Sequence, residues 1–115
     1  MAAVAATAPV QVTTFFNSPF SDGSMTVKIG SQVILREQIW QEGRRLFRRV
    51  QNPRVVNVTK EIAPVNADVE VWVSVPSLSI SEYKMIPRIN FQPGSSHRLT
   101  ITANAATKKF DYSFN

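Results

Sequence analysis

From Asp68 to Val75 the chain reads Asp-Val-Glu-Val-Trp-Val-Ser-Val, with a valine at every second position. Side chains of an extended chain alternate between faces, so Val69, Val71, Val73 and Val75 share one side while Glu70, Trp72 and Ser74 share the other. A wholly β-branched face suits packing against a second layer, and an indole on the opposite face needs cover with its N–H kept near water. The stretch is predicted to be a central strand.

The same period recurs on both sides of it. Val10, Val12, Thr14 and Phe16 share a face with Phe15 opposite, and the turn-forming residues Asn17, Ser18, Pro19, Asp22 and Gly23 follow. Met25, Val27 and Ile29 alternate with Thr26 and Lys28, and Gly30-Ser31 offers a two-residue connection to a partner strand running from Gln32 to the region of Arg36. Val56, Val58, Lys60 and Ile62 form a further alternating run that ends in a turn over Ala63 to Ala67. Pro76 to Ser81 reads as a loop with Leu78 and Ile80 turned inward. Tyr83 to Phe91 is extended, and Pro87 within it points to an edge position or a bulge, because proline donates no ladder hydrogen bond. After the Gln92-Pro93-Gly94-Ser95 turn, Leu99, Ile101 and Ala103 and then Phe110, Tyr112 and Phe114 make a closing hairpin.

Glu37 to Gln51 supports two readings. On a helical wheel Ile39, Trp40, Gly43, Leu46, Phe47 and Val50 gather on one side and the polar residues on the other, with Pro53 as a stop. Against a helix, Gly43 weakens its interior by about 1 kcal/mol relative to alanine, and Gln41-Glu42-Gly43-Arg44 suits the loop of a long hairpin. With this segment left as a short helix or a long hairpin, the pattern predicts an all-β chain: an antiparallel, immunoglobulin-like β-sandwich of seven to eight strands.

Length and composition agree with one domain. The chain has 115 residues, 43% hydrophobic and 18% charged, which is ordinary globular composition and long enough for one core. Residues 1–9 are small and uncharged and read as a flexible N-terminal arm, leaving 10–115 as a single β-sandwich domain. With no cysteine, disulfides, thiolate metal sites and thiol nucleophiles drop out. No run is long and apolar enough to span a bilayer, and Met1 to Ala8 lacks the basic and apolar regions of a signal peptide, so a signal for export would lie outside this sequence or have been replaced by Met1.

The net charge of +5, from 13 basic and 8 acidic residues, is unevenly spread. Between Arg36 and Arg54 lie six arginines against Glu37 and Glu42, so most of the excess sits in one patch. Arg44, Arg45, Arg48, Arg49 and Arg54, interleaved with Trp40 and Phe47, are candidate contacts for phosphates, with an aromatic stacking on a base, or for an anionic membrane surface. The plainer explanation is a solvated face whose aromatics belong to the core. A coat-type protein packaging nucleic acid fits a short, basic, cysteine-free sandwich, although residues 1–9 carry no basic side chain.

Catalytic groups are scarce. His97 is the only histidine, placed just after a Pro-Gly turn at a strand start, where a solvated or turn-capping role explains it. The carboxylates are scattered singly, and no calcium loop, histidine cluster or Gly-rich phosphate loop occurs. Asn57-Val58-Thr59 matches a glycosylation acceptor, but inside a predicted strand. Neither an enzyme nor a cofactor nor a small-molecule substrate is expected. Self-assembly is a further option, because Val10, Val12, Phe15 and Phe16 continue an uncharged arm that lacks a lysine gatekeeper and could add to a neighbour's sheet edge.

The Val69 to Val75 run, the segment Ile89-Asn90-Phe91-Gln92-Pro93-Gly94, and then His97-Arg98-Leu99-Thr100-Ile101 together resemble the rhythm of PEGA-like and related small sandwich modules of bacterial envelope and surface proteins. The Met25 to Ile29 strand with Gly30 is similar to their opening hairpin. The Pro-Glu-Gly-Ala signature itself is absent, and Val65 and Asn66 follow Pro64 where such modules usually place glycine. The resemblance implies a non-catalytic module for attachment or assembly at the cell envelope or outside the cell, and a hairpin over the Arg-rich segment. The sequence thus yields a structural or interaction module with a protein partner or its own copies, and as alternative a nucleic-acid or anionic-surface binder.

Overall fold

A computed structural model of the chain describes residues 8–115. Ten strands follow in order: β1 (Val10–Asn17), β2 (Ser24–Ile29), β3 (Gln32–Gln38), β4 (Trp40–Arg45), β5 (Arg48–Pro53), β6 (Val55–Ile62), β7 (Val65–Val75), β8 (Ile80–Phe91), β9 (Ser96–Asn104) and β10 (Lys109–Phe114). Eight of them build two four-stranded sheets, ordered β10-β9-β1-β6 and β3-β2-β7-β8, while β4 and β5 pair only with each other. The chain is an all-β sandwich carrying one separate hairpin. Its only helical element among the described residues is a single 3-10 turn, Pro76–Leu78.

The valine stripe does what its period predicts. Val69, Val71, Val73 and Val75 are buried, and β7 is an interior strand held by β2 on one side and β8 on the other. They pack in one continuous core with Val10, Val12, Phe16, Val56, Leu99 and Ile101 of the facing sheet. On the outer face of β7, Trp72 lies 5.2 Å from the Tyr83 ring, and the Tyr83 hydroxyl donates to Glu70 at 2.7 Å. The indole finds its cover there, on the sheet surface.

Three local irregularities have identifiable causes. Pro87 lies on an edge strand and also in a bulge: Ala67 pairs with Ile89 and Val69 with Ile86, so Asp68 alone faces Pro87 and Arg88. The Asp68 carboxylate accepts the Arg88 backbone N–H at 2.8 Å, closing the gap in the ladder. A second shift, between Val27 and Lys28, lets the consecutive Ile34 and Leu35 both be buried. Third, β1 runs parallel to β9 while every other pair is antiparallel. A parallel pair needs a long crossover, and here most of the chain supplies it.

Two expectations need correction. Leu78 does not turn inward with Ile80: it is exposed, while Ile80 is buried at the start of β8. The turn expected over Ala63 to Ala67 is shorter, because β7 begins at Val65 and pairs with β8 from that residue. The expected arm, residues 1–9, falls mainly on Met1 to Thr7, which lie outside the described residues. Within the remainder, the Ala8 carbonyl accepts the Gly94 N–H at 3.3 Å.

Candidate functional site

Glu37 to Gln51 holds no helix. Trp40–Arg45 and Arg48–Pro53 pair from Trp40↔Pro53 to Arg45↔Arg48, leaving Leu46 and Phe47 as the two turn residues. Both have positive φ, 51° and 69°, as a hairpin turn with two left-handed central residues requires. Such turns normally take Asn-Gly, and a branched or aromatic side chain in that region costs on the order of 1 kcal/mol or more. The loop expected around Gly43 is absent; Gly43 sits inside β4, opposite Val50.

The apolar stripe of the helical wheel is dispersed by this geometry. Ile39 is fully buried at the hairpin's root, Trp40 is half-buried beside it, and no residue from Trp40 to Pro53 is buried. Leu46 is 86% and Phe47 101% exposed. The expectation that the aromatics here are core therefore fails at Phe47, because the turn points it away from any packing partner.

The root is held firmly. β3 ends at the edge of one sheet and β6 begins at the edge of the other, and the hairpin links them. Ile39 N–H donates to the Gly23 carbonyl and Arg54 N–H to the Ile39 carbonyl, both at 3.2 Å. The Arg54 guanidinium donates to Glu37 at 3.2 Å and to the Gln38 carbonyl at 3.1 Å. Beyond that clamp, six-residue strands rising about 3.4 Å per residue carry the tip roughly 20 Å outward. The described chain is correspondingly long, 66 × 30 × 20 Å.

Arg44, Arg45, Arg48 and Arg49 come together at the tip, all exposed, and none is in an ion pair among the described residues. Arg44 lies opposite Arg49, and Arg45 opposite Arg48. Successive residues face opposite sides of a ribbon, so one arginine pair occupies each face, and like charges directly opposite repel. The structure separates Arg54 and Trp40 from this group: both sit at the root.

The Val10 to Phe16 residues lie elsewhere. Val10, Val12 and Phe16 are buried, and β1 is paired along its length with β6 on one side and β9 on the other. Phe15 faces outward under the Arg98 guanidinium, 5.0 Å from its ring centroid. Adding this strand to a neighbour would require it to leave its own sheet.

His97 is built into the end of the sandwich. Its ring stacks on Phe114 at 5.5 Å and meets Phe91 edge-on at 4.9 Å, while Nε2 lies 3.1 Å from the Ser95 hydroxyl. That hydroxyl donates to the Gln92 carbonyl at 2.6 Å, so its proton is committed to closing the turn. Among the described residues no three His, Asp or Glu side chains gather as a metal site, and no helix is long and apolar enough to cross a membrane.

The arginines and the interleaved Phe47 are legible in the sequence; Leu46, and the turn it makes with Phe47, are not. Leu46 and Phe47 carry no turn signal, and the pattern that marks them is the symmetry of Arg-Arg-Leu-Phe-Arg-Arg about its centre.

No family model matches the chain, and no curated protein does. A crystal structure from Bacteroides fragilis, of a "putative cell adhesion protein", aligns with 95% of this chain and 44% of its own length at 12% identity, with a TM-score of 0.41. This chain therefore spans less than half the length of that one. A likeness so loose assigns neither a fold family nor a function.

Proposed function

We propose that this chain is a non-catalytic interaction module that docks through the β4–β5 hairpin. One observation carries the reading: Leu46 and Phe47 are placed, exposed and with left-handed backbone, at the end of a ribbon none of whose residues is fully buried. Folding alone favours Asn-Gly at such a turn and a short, polar loop between β3 and β6. A strained turn and apolar exposure that coincide at one projecting point are features of a surface completed by a partner. The four arginines behind the tip add a preference for anionic partners.

The test replaces the tip by the residues the turn itself prefers, Leu46→Asn with Phe47→Gly. Binding is measured to three probes: anionic phospholipid vesicles, a single-stranded oligonucleotide, and the protein's own copies by sedimentation. The expected result is a sandwich somewhat more stable than before that loses binding to whichever probe the unaltered chain recognises. Binding unchanged by the replacement, or no binding to any probe, would overturn the reading.

A further inference from the structure

We infer that the hairpin's partner is an anionic lipid surface, into which Leu46 and Phe47 insert while the four arginines engage the headgroup phosphates. This rests on the hairpin being the docking element and adds what it docks to. Two observations choose the partner.

The first is the layering along the ribbon. The apolar pair is terminal, Arg45 and Arg48 flank it directly, and Arg44 and Arg49 lie one residue, about 3.4 Å, further back. Apolar tip, then cations, then the uncharged Gly43 and Val50 matches the order of acyl boundary, phosphate and water met by an element entering a bilayer end-on. Interfacial elements sink their apolar part about 5–10 Å to that boundary, a depth a two-residue tip can fill. Arginine serves this position well, since its stem can lie along apolar surface while its planar fork binds phosphate.

The second is the distribution around the ribbon. Because the pairs Arg44/Arg49 and Arg45/Arg48 occupy opposite faces, positive charge surrounds the hairpin. A nucleic-acid strand lying along one face would meet one pair and leave the other unused. Phosphates in a plane around a penetrating tip meet both. That plane also relieves the repulsion within each directly opposed pair, which no ion pair in the described chain offsets. Trp40, at the root and roughly 20 Å behind the tip, stays outside the layer.

The experiment is co-sedimentation of the whole chain with vesicles of phosphatidylcholine alone and of equimolar phosphatidylcholine and phosphatidylglycerol. A parallel titration uses a single-stranded oligonucleotide. Binding to the anionic vesicles only is expected, weakening as salt rises. Each arginine changed to glutamine should weaken it about fivefold. The Leu46→Asn, Phe47→Gly variant should weaken it about tenfold or more, since the apolar insertion is lost while the charges remain. A Phe47→Trp variant should bind, with its added emission shifted to the blue on anionic vesicles, which reports insertion and not mere adhesion.

Vesicle binding that ignores the tip replacement, or added emission from the Phe47→Trp variant that stays at its position in water, would overturn insertion. Oligonucleotide binding lost with the arginines and the tip, without vesicle binding, would overturn the lipid surface and leave the hairpin as the docking element. Indifference of every probe to these substitutions would overturn both.

Discussion

The β2–β3 hairpin turns at Gly30-Ser31 and the β4–β5 hairpin at Leu46-Phe47, and the two follow one another in the chain. In the first, Gly30 takes the positive φ of 59° that its lack of a Cβ permits, and both strands contribute to the core: Met25, Val27 and Ile29 from β2, Ile34 and Leu35 from β3. In the second, the positive φ falls on leucine and phenylalanine, and the strands hold no fully buried residue. An isolated two-stranded ribbon is at best marginally stable in water. The second hairpin persists because its root is clamped to the sandwich, by Ile39 in the core and Arg54 on Glu37. One hairpin is thus shaped by the fold, and the other departs from what the fold alone would select.

The widest contrast lies between two phenylalanines. Phe16→Ala should cost about 3–5 kcal/mol, because it empties a site between the sheets, whereas Phe47→Ala should change stability by no more than about 0.5 kcal/mol. Denaturant unfolding of the two variants measures both. A comparable loss at Phe47 would mean that the tip is packed in solution and would erase the contrast.

The turns themselves come next. Gly30→Ala places a Cβ 3.3 Å from that of Ala67 at a left-handed φ and should destabilise by about 1–2 kcal/mol. Leu46→Asn with Phe47→Gly should do the reverse, raising stability by about 1 kcal/mol through relief of the same kind of strain. Thermal melts that move in opposite directions are expected; a drop for both would show that the tip is not strained.

Much of this was legible in the sequence, and the failures cluster in one place. Most strands of the two sheets carry a period-two pattern, because each buries one face; the bulges in β3 and β8 interrupt it, and Pro87 declared its edge and bulge through its missing donor. The hairpin offers no such pattern. With neither face buried, no periodicity distinguishes its strands, and apolar residues at 39, 40, 43, 46, 47 and 50 imitate a helical stripe. Its turn could not be read from propensity because Leu46-Phe47 contradicts propensity. The arginines were visible as charge, but their arrangement around a ribbon required the register of β4 with β5.

Within the sandwich, Tyr112 supplies a smaller test. Its hydroxyl is buried and meets no partner in hydrogen-bonding geometry among the described residues; burial raises the phenol's pKa above the ordinary 10.0, and the nearby Glu82 carboxylate raises it further, by its charge and as the acceptor closest to a hydrogen bond. The native state therefore holds this proton more tightly than the unfolded chain. Stability should be unaffected below pH 10 and fall as pH rises above it, where only the unfolded chain releases the proton. Tyr112→Phe should be neutral or stabilising by up to about 1 kcal/mol at pH 7 and should blunt the alkaline loss, as urea midpoints across pH would show. A clear destabilisation at neutral pH would mean that the hydroxyl is bonded after all.

The smallest effect is expected at the root. Arg54 and Glu37 side chains are 33% and 37% exposed, so solvent screening holds their pair to a fraction of a kcal/mol. Arg54→Ala should leave global unfolding almost unchanged and instead speed amide exchange in β4 and β5. Faster exchange throughout β6 and β3 would show that the clamp holds the sheets and not the hairpin.

Hydrogen–deuterium exchange of the unaltered protein, with and without anionic vesicles, tests most directly whether the hairpin is the docking element and a lipid surface its partner. New protection confined to the neighbourhood of Arg44 to Arg49, with the sandwich strands unchanged, is the predicted result. Protection appearing along β8, β10 or another sheet edge while the tip continues to exchange freely would contradict it.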